Sequence, residues 1–467
     1  MTYSMIHSTI ARARLRRTVT LAMLASLALA GCSTEQILDV DAQDEIDPSN
    51  VQSSAGANAV RIGALARLNA ATSGTTNGLI SGTESLFLLG GLLADEYNNG
   101  DSFIARQEID QRVVTEQNLF LTDANRVLHR TRLAAEQAIG LLAQYSPDAP
   151  AWQVGEMHFV QAYVINLMAE HYCNGLVFST VIDGREEYGI PITTVAAFER
   201  ALGLANDGLA RVTGTTANDV RVQNALRLTR GRILLNLNRP AEAAAAVAAV
   251  PTAYQYVILH STSQINAFWR YNNNARRYSV STNEGINGLN FATANDPRLP
   301  VCLGNDVACR AIGVTQATRD DLTQPLYVQR LWPAQESSVP ILIGREARLI
   351  EAEAQLRGGN AGQALATLNA VRATVTGLGP LADAGTAAAR IDQLFAERAF
   401  WLFGRGYRVG DLRRLIRQHG RTANSVFPTG AWHKGGTYGT DVNFPVPLAE
   451  ANNPNVPTGN ACMNRDA

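Results

Sequence analysis

Two stretches of the chain repeat one pattern, in which two segments with apolar residues at helical spacing are separated by a short break. Residues 222–250, VQNALRLTRGRILLNLNRPAEAAAAVAAV, break at an Asn-Arg-Pro sequence, and residues 344–373, GREARLIEAEAQLRGGNAGQALATLNAVRA, break at a Gly-Gly pair. Each stretch therefore predicts a pair of helices. Pairs of about 34 residues are typical of tetratricopeptide repeats. Because one pair cannot bury its own apolar face, neighbouring pairs must stack.

This pattern predicts an all-α fold, a tetratricopeptide-like α–α superhelix with a loop-rich face. Helical repeats are expected at about 119–250 and 340–420. Residues of about 257–332 and 426–467 lack helical periodicity over most of their length, and the first of these stretches is rich in Asn, Gly, Tyr and Trp. Loops of this length are either disordered or functional, and their aromatic residues favour order. We therefore expect one domain over residues 57–467.

The first 31 residues have the features of a secretory signal. Four arginines between positions 12 and 17 precede an uncharged apolar run, residues 18–30, which at 13 residues is too short to span a bilayer. The run ends in Leu-Ala-Gly-Cys, which resembles the bacterial lipobox. We expect residues 1–31 to be removed, Cys32 to carry a lipid anchor outside the cytoplasm, and residues 32–56 to form an acidic tether. A plain secreted protein with a chance cysteine is the alternative.

Charge and cysteine content indicate further what kind of protein this is. Removal of the signal takes away four of 40 basic residues and none of the 41 acidic ones, so the net charge becomes −5 and no basic surface for nucleic acid is indicated. Four cysteines remain besides Cys32, an even number that suggests two disulfides in an exported protein. Cys302 and Cys309 are the closest pair, which leaves Cys173 with Cys462. Free buried thiols are the alternative, and a zinc site is less favoured because the spacing is wrong.

No motif for catalysis is present. The chain lacks G-x-S-x-G and H-E-x-x-H. We expect a non-enzymatic protein without cofactor or metal, although two distant carboxylates that meet in a cleft would still permit an exported hydrolase.

Two polar stretches with aromatic residues suit a sugar ligand, which needs flat rings for its C–H faces and amides, carboxylates or arginines for its hydroxyl groups. One is AFWRYNNNARRYSVS (267–281) and the other is LADEYNNGDSF (93–103). The alternative role of these rings is to fix the loops to the scaffold. The predicted ligand contacts are Trp269, Tyr271, Asn272, Arg276 and Tyr278 in the first stretch and Tyr97, Asn98 and Asp101 in the second, with Trp269 as the main stacking surface.

Three stretches resemble the SusD/RagB family of surface lipoproteins. They are ERAFWLFGRGYRVGDLRR (397–414), the helix pair that precedes it, and NFPVPLAEANNPN (443–455), in the order that the family shows. The arginine-rich stretch 397–414 is better explained by charge pairing than by an anion site, because Asp411 lies one helical turn from both Arg408 and Arg414.

The resemblance implies a role at the outer membrane, where SusD-like proteins bind oligosaccharides or peptides and cap a SusC-like TonB-dependent transporter without catalytic residues. It implies nutrient capture, most simply of a glycan, at the cell surface. The alternatives are capture of peptides, or a repeat scaffold lipoprotein that binds protein partners only.

Overall fold

The computed structural model describes residues 51–76, 84–182, 185–457 and 462–467. The predicted signal, Cys32 and most of the predicted tether lie outside the described residues. Residues 52–467 form one unit. Within the described residues, the helices before residue 250 are α1 (Ser54–Thr72), α2 (Leu86–Leu93), α3 (Ile104–Asp110), α4 (Leu119–Tyr145), α5 (Ala151–His171), α6 (Thr194–Arg211), α7 (Ala217–Asn236) and α8 (Pro240–Val247).

The second group of helices follows residue 300. It consists of α9 (Val307–Arg310), α10 (Arg345–Arg357), α11 (Ala361–Arg372), α12 (Ala387–Trp401), α13 (Arg408–His419) and α14 (Ala423–Val426). Both helix pairs that the sequence predicts are present, as α7–α8 and α10–α11, and α8 packs against α10 across the intervening insertion. The predicted all-α, tetratricopeptide-like fold is therefore confirmed.

Local sequence explains where several helices begin. The side chain of Thr216 accepts a hydrogen bond from the backbone N–H of Asp219, and that aspartate bonds back to the N–H of Thr216, which makes a capping box for α7. Pro240 occupies the first turn of α8, where its missing N–H removes no helical bond. Helix α1 begins at Ser54, inside the segment predicted as tether, because the Ser53 hydroxyl accepts from the N–H of Gly56 and caps it.

The described strands are two to five residues long and are spread along the chain from residue 74 to residue 343. Within the described residues they form six antiparallel pairs: β1 (Gly74–Thr76) with β8 (Gln264–Asn266), β2 (Tyr97–Asn99) with β9 (Tyr278–Val280), β3 (Leu176–Val177) with β6 (Pro191–Ile192), β4 (Thr180–Ile182) with β5 (Arg185–Glu187), β7 (Gln255–Ile258) with β12 (Val339–Ile343), and β10 (Val301–Leu303) with β11 (Tyr327–Gln329). The β7–β12 pair joins the two ends of the predicted loop-rich insertion, so the insertion leaves the scaffold and returns to it at one place.

Two disulfides link the cysteines in the pairs that the sequence predicted, Cys302 with Cys309 and Cys173 with Cys462. The first lies in a small apolar cluster with Val314, Leu326 and Val328, separate from the helical core. The second joins the segment after α5 to the C-terminal residues. The Cys173–Cys462 crosslink spans 289 residues and the Cys302–Cys309 crosslink spans seven, so in the chain-entropy account the first restricts the unfolded chain more.

The turn between α12 and α13 contains the glycines of the GRGYRVG sequence. Gly404 and Gly406 both have positive φ, and a Cβ atom on Gly406 would lie 2.4 Å from the ring of Phe87. The N–H of Gly404 donates to Glu96 Oε1 at 2.9 Å, and the carbonyl of Gly406 accepts from Arg232. The sequence is thus a tight structural turn in the core.

Three arginines around this turn, Arg398, Arg408 and Arg414, are buried in ion pairs. Arg414 pairs with both Asp411 and Glu353, as the helical spacing predicted for the first of these. Arg408 instead donates hydrogen bonds from Nε and Nη2 to Asp95, at 2.6 and 2.8 Å, and the Asp411 carboxylate accepts a hydrogen bond from Arg398. The predicted Arg408–Asp411 pair is corrected in this respect, because Asp95 from the end of α2 lies closer. The structural interpretation of the stretch agrees with these contacts.

Candidate ligand-binding site

The two polar stretches predicted to bind sugar meet through strand pairing. In the β2–β9 pair, Tyr97 lies opposite Val280 and Asn99 lies opposite Tyr278. Where the two strands end, the N–H of Gly100 donates to the carbonyl of Arg277 at 2.8 Å. A π-helix, Trp269–Asn274, directly precedes β9, so the loop stretch folds back onto the β2 segment.

Most of the predicted ligand contacts are buried within this assembly. Tyr97 packs against Phe403, with ring centroids 5.1 Å apart, and Tyr278 donates its hydroxyl to Glu84 at 2.7 Å. Tyr271 is also buried, beside Tyr278. A ring without exposed surface cannot stack on a ligand, so the assignment of these three tyrosines as ligand contacts is corrected: they fix the loops to the scaffold.

The amide and carboxylate side chains predicted to bind hydroxyl groups are engaged in the same way. Asn272 donates to the carbonyls of Tyr278 and Tyr327, which joins β9 to β11. Asn98 donates to Glu284, and Asp101 receives Arg106 and the N–H of Phe103. All three are buried. Their predicted contact with ligand is therefore corrected to a structural role, because each side chain is buried and bonds to neighbouring groups of the protein.

Two predicted residues retain exposed surface, namely Trp269 and Arg276. Trp269 is half-buried at the start of the π-helix, where its backbone N–H donates to the side-chain oxygen of Asn266. Arg276 donates to the carbonyls of Thr318 and Arg319 and to the exposed Asp320 at 3.4 Å. Both remain predicted ligand contacts.

The sequence analysis missed Phe103, the most exposed aromatic ring of this region. It is 49% exposed and immediately precedes α3. The guanidinium carbons of Arg277 and Arg106 lie 5.1 and 5.2 Å from its ring centroid, and the Phe120 ring lies 6.4 Å away. Its position two residues after Asp101 in the selected stretch was the available signal. We refer to the surface of Phe103, Arg276, Arg277 and Trp269 as the loop face.

Arg106 holds the loop face from beneath. Its guanidinium is buried and bonds to Glu84 and Asp101, while the ring of Phe120 lies 4.5 Å from its Cζ. Burial raises the pKa of Asp101, although the nearby Arg106 opposes this shift. Because the arginine is fixed by two carboxylates and several rings, Phe103 rests on a rigid base.

A cluster of Asp110, Glu284 and His433 lies beneath residues 430–438, with candidate ligand atoms within 4.8 Å of one another. Such a group could hold a metal or supply two carboxylates for hydrolysis. However, the Asp110 carboxylate already bonds to the Trp432 indole N–H and the His433 ring, at 2.8 Å each. The Glu284 carboxylate accepts hydrogen bonds from Asn98 and Tyr438.

Arg319 supplies a positive charge at the same cluster. Its Nη1 lies 3.2 Å from Nδ1 of His433, and the carboxylates of Glu284 and Asp110 stabilise its charge against burial. Burial also raises the pKa of Glu284. These buried and internally bonded groups are best explained as the anchor of the 430–438 loop. The only lysine of the chain, Lys434, adds bonds from this loop to Asp321 and the Asp101 carbonyl.

Solved structures of SusD superfamily proteins match nearly the whole chain. A SusD-like carbohydrate-binding protein from Bacteroides fragilis NCTC 9343 has 12% sequence identity and a TM-score of 0.63 over 88% of this chain and 100% of that chain. A SusD superfamily protein from Parabacteroides distasonis ATCC 8503 has 13% identity and a TM-score of 0.63 over 86% and 98%. This chain has the SusD fold.

The comparison extends to surface glycan-binding protein A from Bacteroides thetaiotaomicron, which has 13% identity and a TM-score of 0.58 over 86% of this chain and 97% of that chain. No protein-family model and no curated protein sequence matches the chain. At this low identity the likeness establishes the SusD fold, and the ligand must be argued from the residues of the loop face. Among the described residues, no helix combines the length and apolar character that crossing a membrane requires.

Proposed function

We propose that this protein binds a saccharide on the loop face without chemically changing it. The observation that carries the proposal is the exposed ring of Phe103, held in place by Arg106 and flanked by Arg277. A sugar ring stacks its C–H face on such an aromatic surface, while arginines bond its hydroxyl groups. The solved SusD-fold structures described as carbohydrate-binding support the same function.

Binding is tested with a glycan and peptide array on lipid-free residues 36–467, followed by calorimetry on the strongest ligand. Phe103→Ala should weaken binding at least about tenfold, since loss of an aromatic anchor typically costs more than about 1 kcal/mol. Tyr188→Ala is the matched control, because Tyr188 is 48% exposed but lies after the β4–β5 hairpin. Equal binding by both variants, or a response to peptides alone, contradicts saccharide capture at Phe103. Recovery of unaltered saccharide after incubation checks that no hydrolysis occurs.

We further propose that the protein acts at the outer membrane, anchored through Cys32, and delivers its ligand to a SusC-like TonB-dependent transporter. The lipobox-like sequence and the SusD fold support this role. Cys32→Ala should move the protein from the detergent phase to the aqueous phase, or leave its signal uncleaved. Retention of the variant in the detergent phase would contradict the anchor, and failure of the anchored protein to copurify with a barrel transporter would contradict delivery.

A surface for protein partners is a second candidate function. It is favoured by four exposed apolar residues on and next to the β4–β5 hairpin, namely Val181, Ile182, Tyr188 and Ile190. Exposed apolar residues that lie together are uncommon on surfaces that contact only water. A scaffold role predicts that changes at this hairpin, and not at Phe103, abolish the protein's function.

A further inference from the structure

We infer that the saccharide bound on the loop face is anionic and carries carboxylate or sulfate groups. This inference rests on the proposed function and specifies its ligand class. It depends on the charge balance of three arginines, Arg270, Arg276 and Arg277, that lie within eight consecutive residues, the last of them beside Phe103.

Arg277 has a positive charge that its surroundings do not neutralise. Among the described residues, the one carboxylate within 4.0 Å of it is that of Asp101, whose Oδ2 lies 3.8 Å from Arg277 Nε. Asp101 is buried and already receives Arg106 and the N–H of Phe103. The Arg277 side chain is 33% exposed. The Asp101 carboxylate thus serves two guanidinium groups, and the partly exposed guanidinium of Arg277 retains capacity for an anion.

Arg270 and Arg276 extend the same positive surface. Arg270 donates to the neutral amide of Asn274 at 3.0 Å, and within the described part of the chain no carboxylate lies within salt-bridge distance of it. Arg276 pairs with Asp320 at 3.4 Å, but that aspartate is 43% exposed, and exposed pairs of this kind contribute little net energy. The N–H of Arg277 bonds the carbonyl of Tyr271, and the N–H of Ala275 bonds the carbonyl of Arg270, so the backbone of these residues is drawn together.

The local excess of positive charge runs against the charge of the whole chain. The full sequence has a net charge of −1, and removal of the predicted signal makes it more negative. General attraction of the protein to anions is therefore not expected. A planar guanidinium binds a carboxylate or sulfate through paired N–H donors, and the Phe103 ring beside it accepts the apolar face of the sugar. The combination suits a uronic acid or a sulfated sugar, whereas a neutral sugar offers the arginines hydroxyl groups without a counter-charge.

The test uses the full lipid-free protein, residues 36–467, on an array that contains neutral, uronic-acid and sulfated oligosaccharides. Starch and xylan fragments represent the first class, galacturonan and alginate fragments the second, and chondroitin sulfate fragments the third. The strongest ligand is then compared with its own carboxyl-reduced or desulfated form by calorimetry. We expect an anionic ligand to rank first and its neutral form to bind at least about tenfold more weakly, because charge-assisted hydrogen bonds are lost.

Two variants assign the effect to the loop face. Arg277→Gln should bring the affinity for the anionic ligand close to that for its neutral form. Arg390→Gln removes the same charge from α12, where Arg390 pairs with Asp383, and should leave the difference unchanged. A neutral oligosaccharide that ranks first, or an anionic preference that survives Arg277→Gln, overturns the inference while the proposed saccharide binding stands. Absence of binding to every class overturns the proposed function itself.

Discussion

Arginine has opposite roles in two regions of this protein. In residues 397–414, from the end of α12 into α13, Arg398 and Arg408 are buried. Each donates hydrogen bonds from two guanidinium nitrogens to a buried carboxylate. On the loop face, Arg277 is partly exposed, and its nearest carboxylate is already occupied by Arg106. The first arrangement holds the fold together, and the second leaves charge available for a ligand.

The difference shows that residue type alone does not identify a binding site. A buried ion pair repays the desolvation of its charges only when its geometry is complete, and Arg398, Arg408 and Arg414 each pair closely with a buried carboxylate. Among the described residues, Arg405 and Arg413 are buried without a carboxylate partner and donate to backbone carbonyls instead. A guanidinium at the surface keeps its hydration and needs no partner to be tolerated. The two regions differ in whether the guanidinium is buried against internal acceptors, as in residues 397–414, or partly exposed beside a carboxylate that it shares, as at Arg277.

The largest effect that would test this comparison is expected from Arg408→Leu. The change leaves Asp95 buried without a counter-charge, which should lower the free energy of unfolding by about 3–5 kcal/mol. Chemical denaturation of the two proteins measures this difference. Arg277→Leu is the matched change on the loop face and should alter stability by less than about 0.5 kcal/mol. Similar losses in both variants would remove the distinction between the regions.

A double variant separates charge from packing at the same site. Asp95→Leu combined with Arg408→Leu removes both charges and should restore part of the stability, because apolar replacement of a buried pair is often close to neutral. If the double variant is less stable than Arg408→Leu alone, the unpaired charge of Asp95 is not the cause of the loss.

The next effect concerns the pH dependence that the buried region creates. Burial raises the pKa of Glu96 from 4.5 to about 8, so the folded protein holds a proton that the unfolded chain releases above pH 4.5. The contribution of Glu96 to stability therefore falls as the pH rises from about 4.5 to about 8. Glu96→Gln retains an acceptor for the N–H of Gly404 but cannot ionise.

Denaturation of both proteins at pH 5 and pH 8 measures this effect. Relative to wild type, Glu96→Gln should gain on the order of 2–3 kcal/mol between these two pH values, which is the direction that the raised pKa of Glu96 requires. Wild-type and variant curves that stay parallel over this range would contradict the raised pKa. The pH dependence that remains in the variant belongs to other buried groups, including Glu346, whose pKa burial raises to about 7.

At Trp269, loss of ligand binding should exceed loss of stability. Because the Trp269 side chain is half-buried, Trp269→Ala should cost about 1 kcal/mol of stability. Loss of its contact with the ligand should weaken affinity at least about tenfold. Trp332 is the internal control, since it is buried and stacks on Phe268 at 4.4 Å, and its replacement by Ala should cost about 3–5 kcal/mol. A stability loss at Trp269 as large as that at Trp332, with binding intact, would make it a structural residue.

The sequence determined the helical scaffold because helix pairing is written in local periodicity. The breaks at Pro240 and at Gly358 separate helices in the structure as predicted, and the spacing of Asp411 and Arg414 fixed their ion pair. These features depend on residues three to twenty positions apart, which one stretch of sequence contains. The same local patterns located the two loop stretches that meet at the β2–β9 pair.

Only the tertiary structure decided which side chains of those stretches face solvent. Tyr97, Tyr278 and Phe103 have similar rings in similar polar surroundings, yet the first two are buried and Phe103 is exposed. Loop residues have no regular period from which an inner and an outer side could be predicted. Their burial follows from the pairing of β2 with β9, across about 180 residues, and from partners still farther away in sequence: Glu84 is 194 positions from Tyr278, and Phe403 is 306 positions from Tyr97.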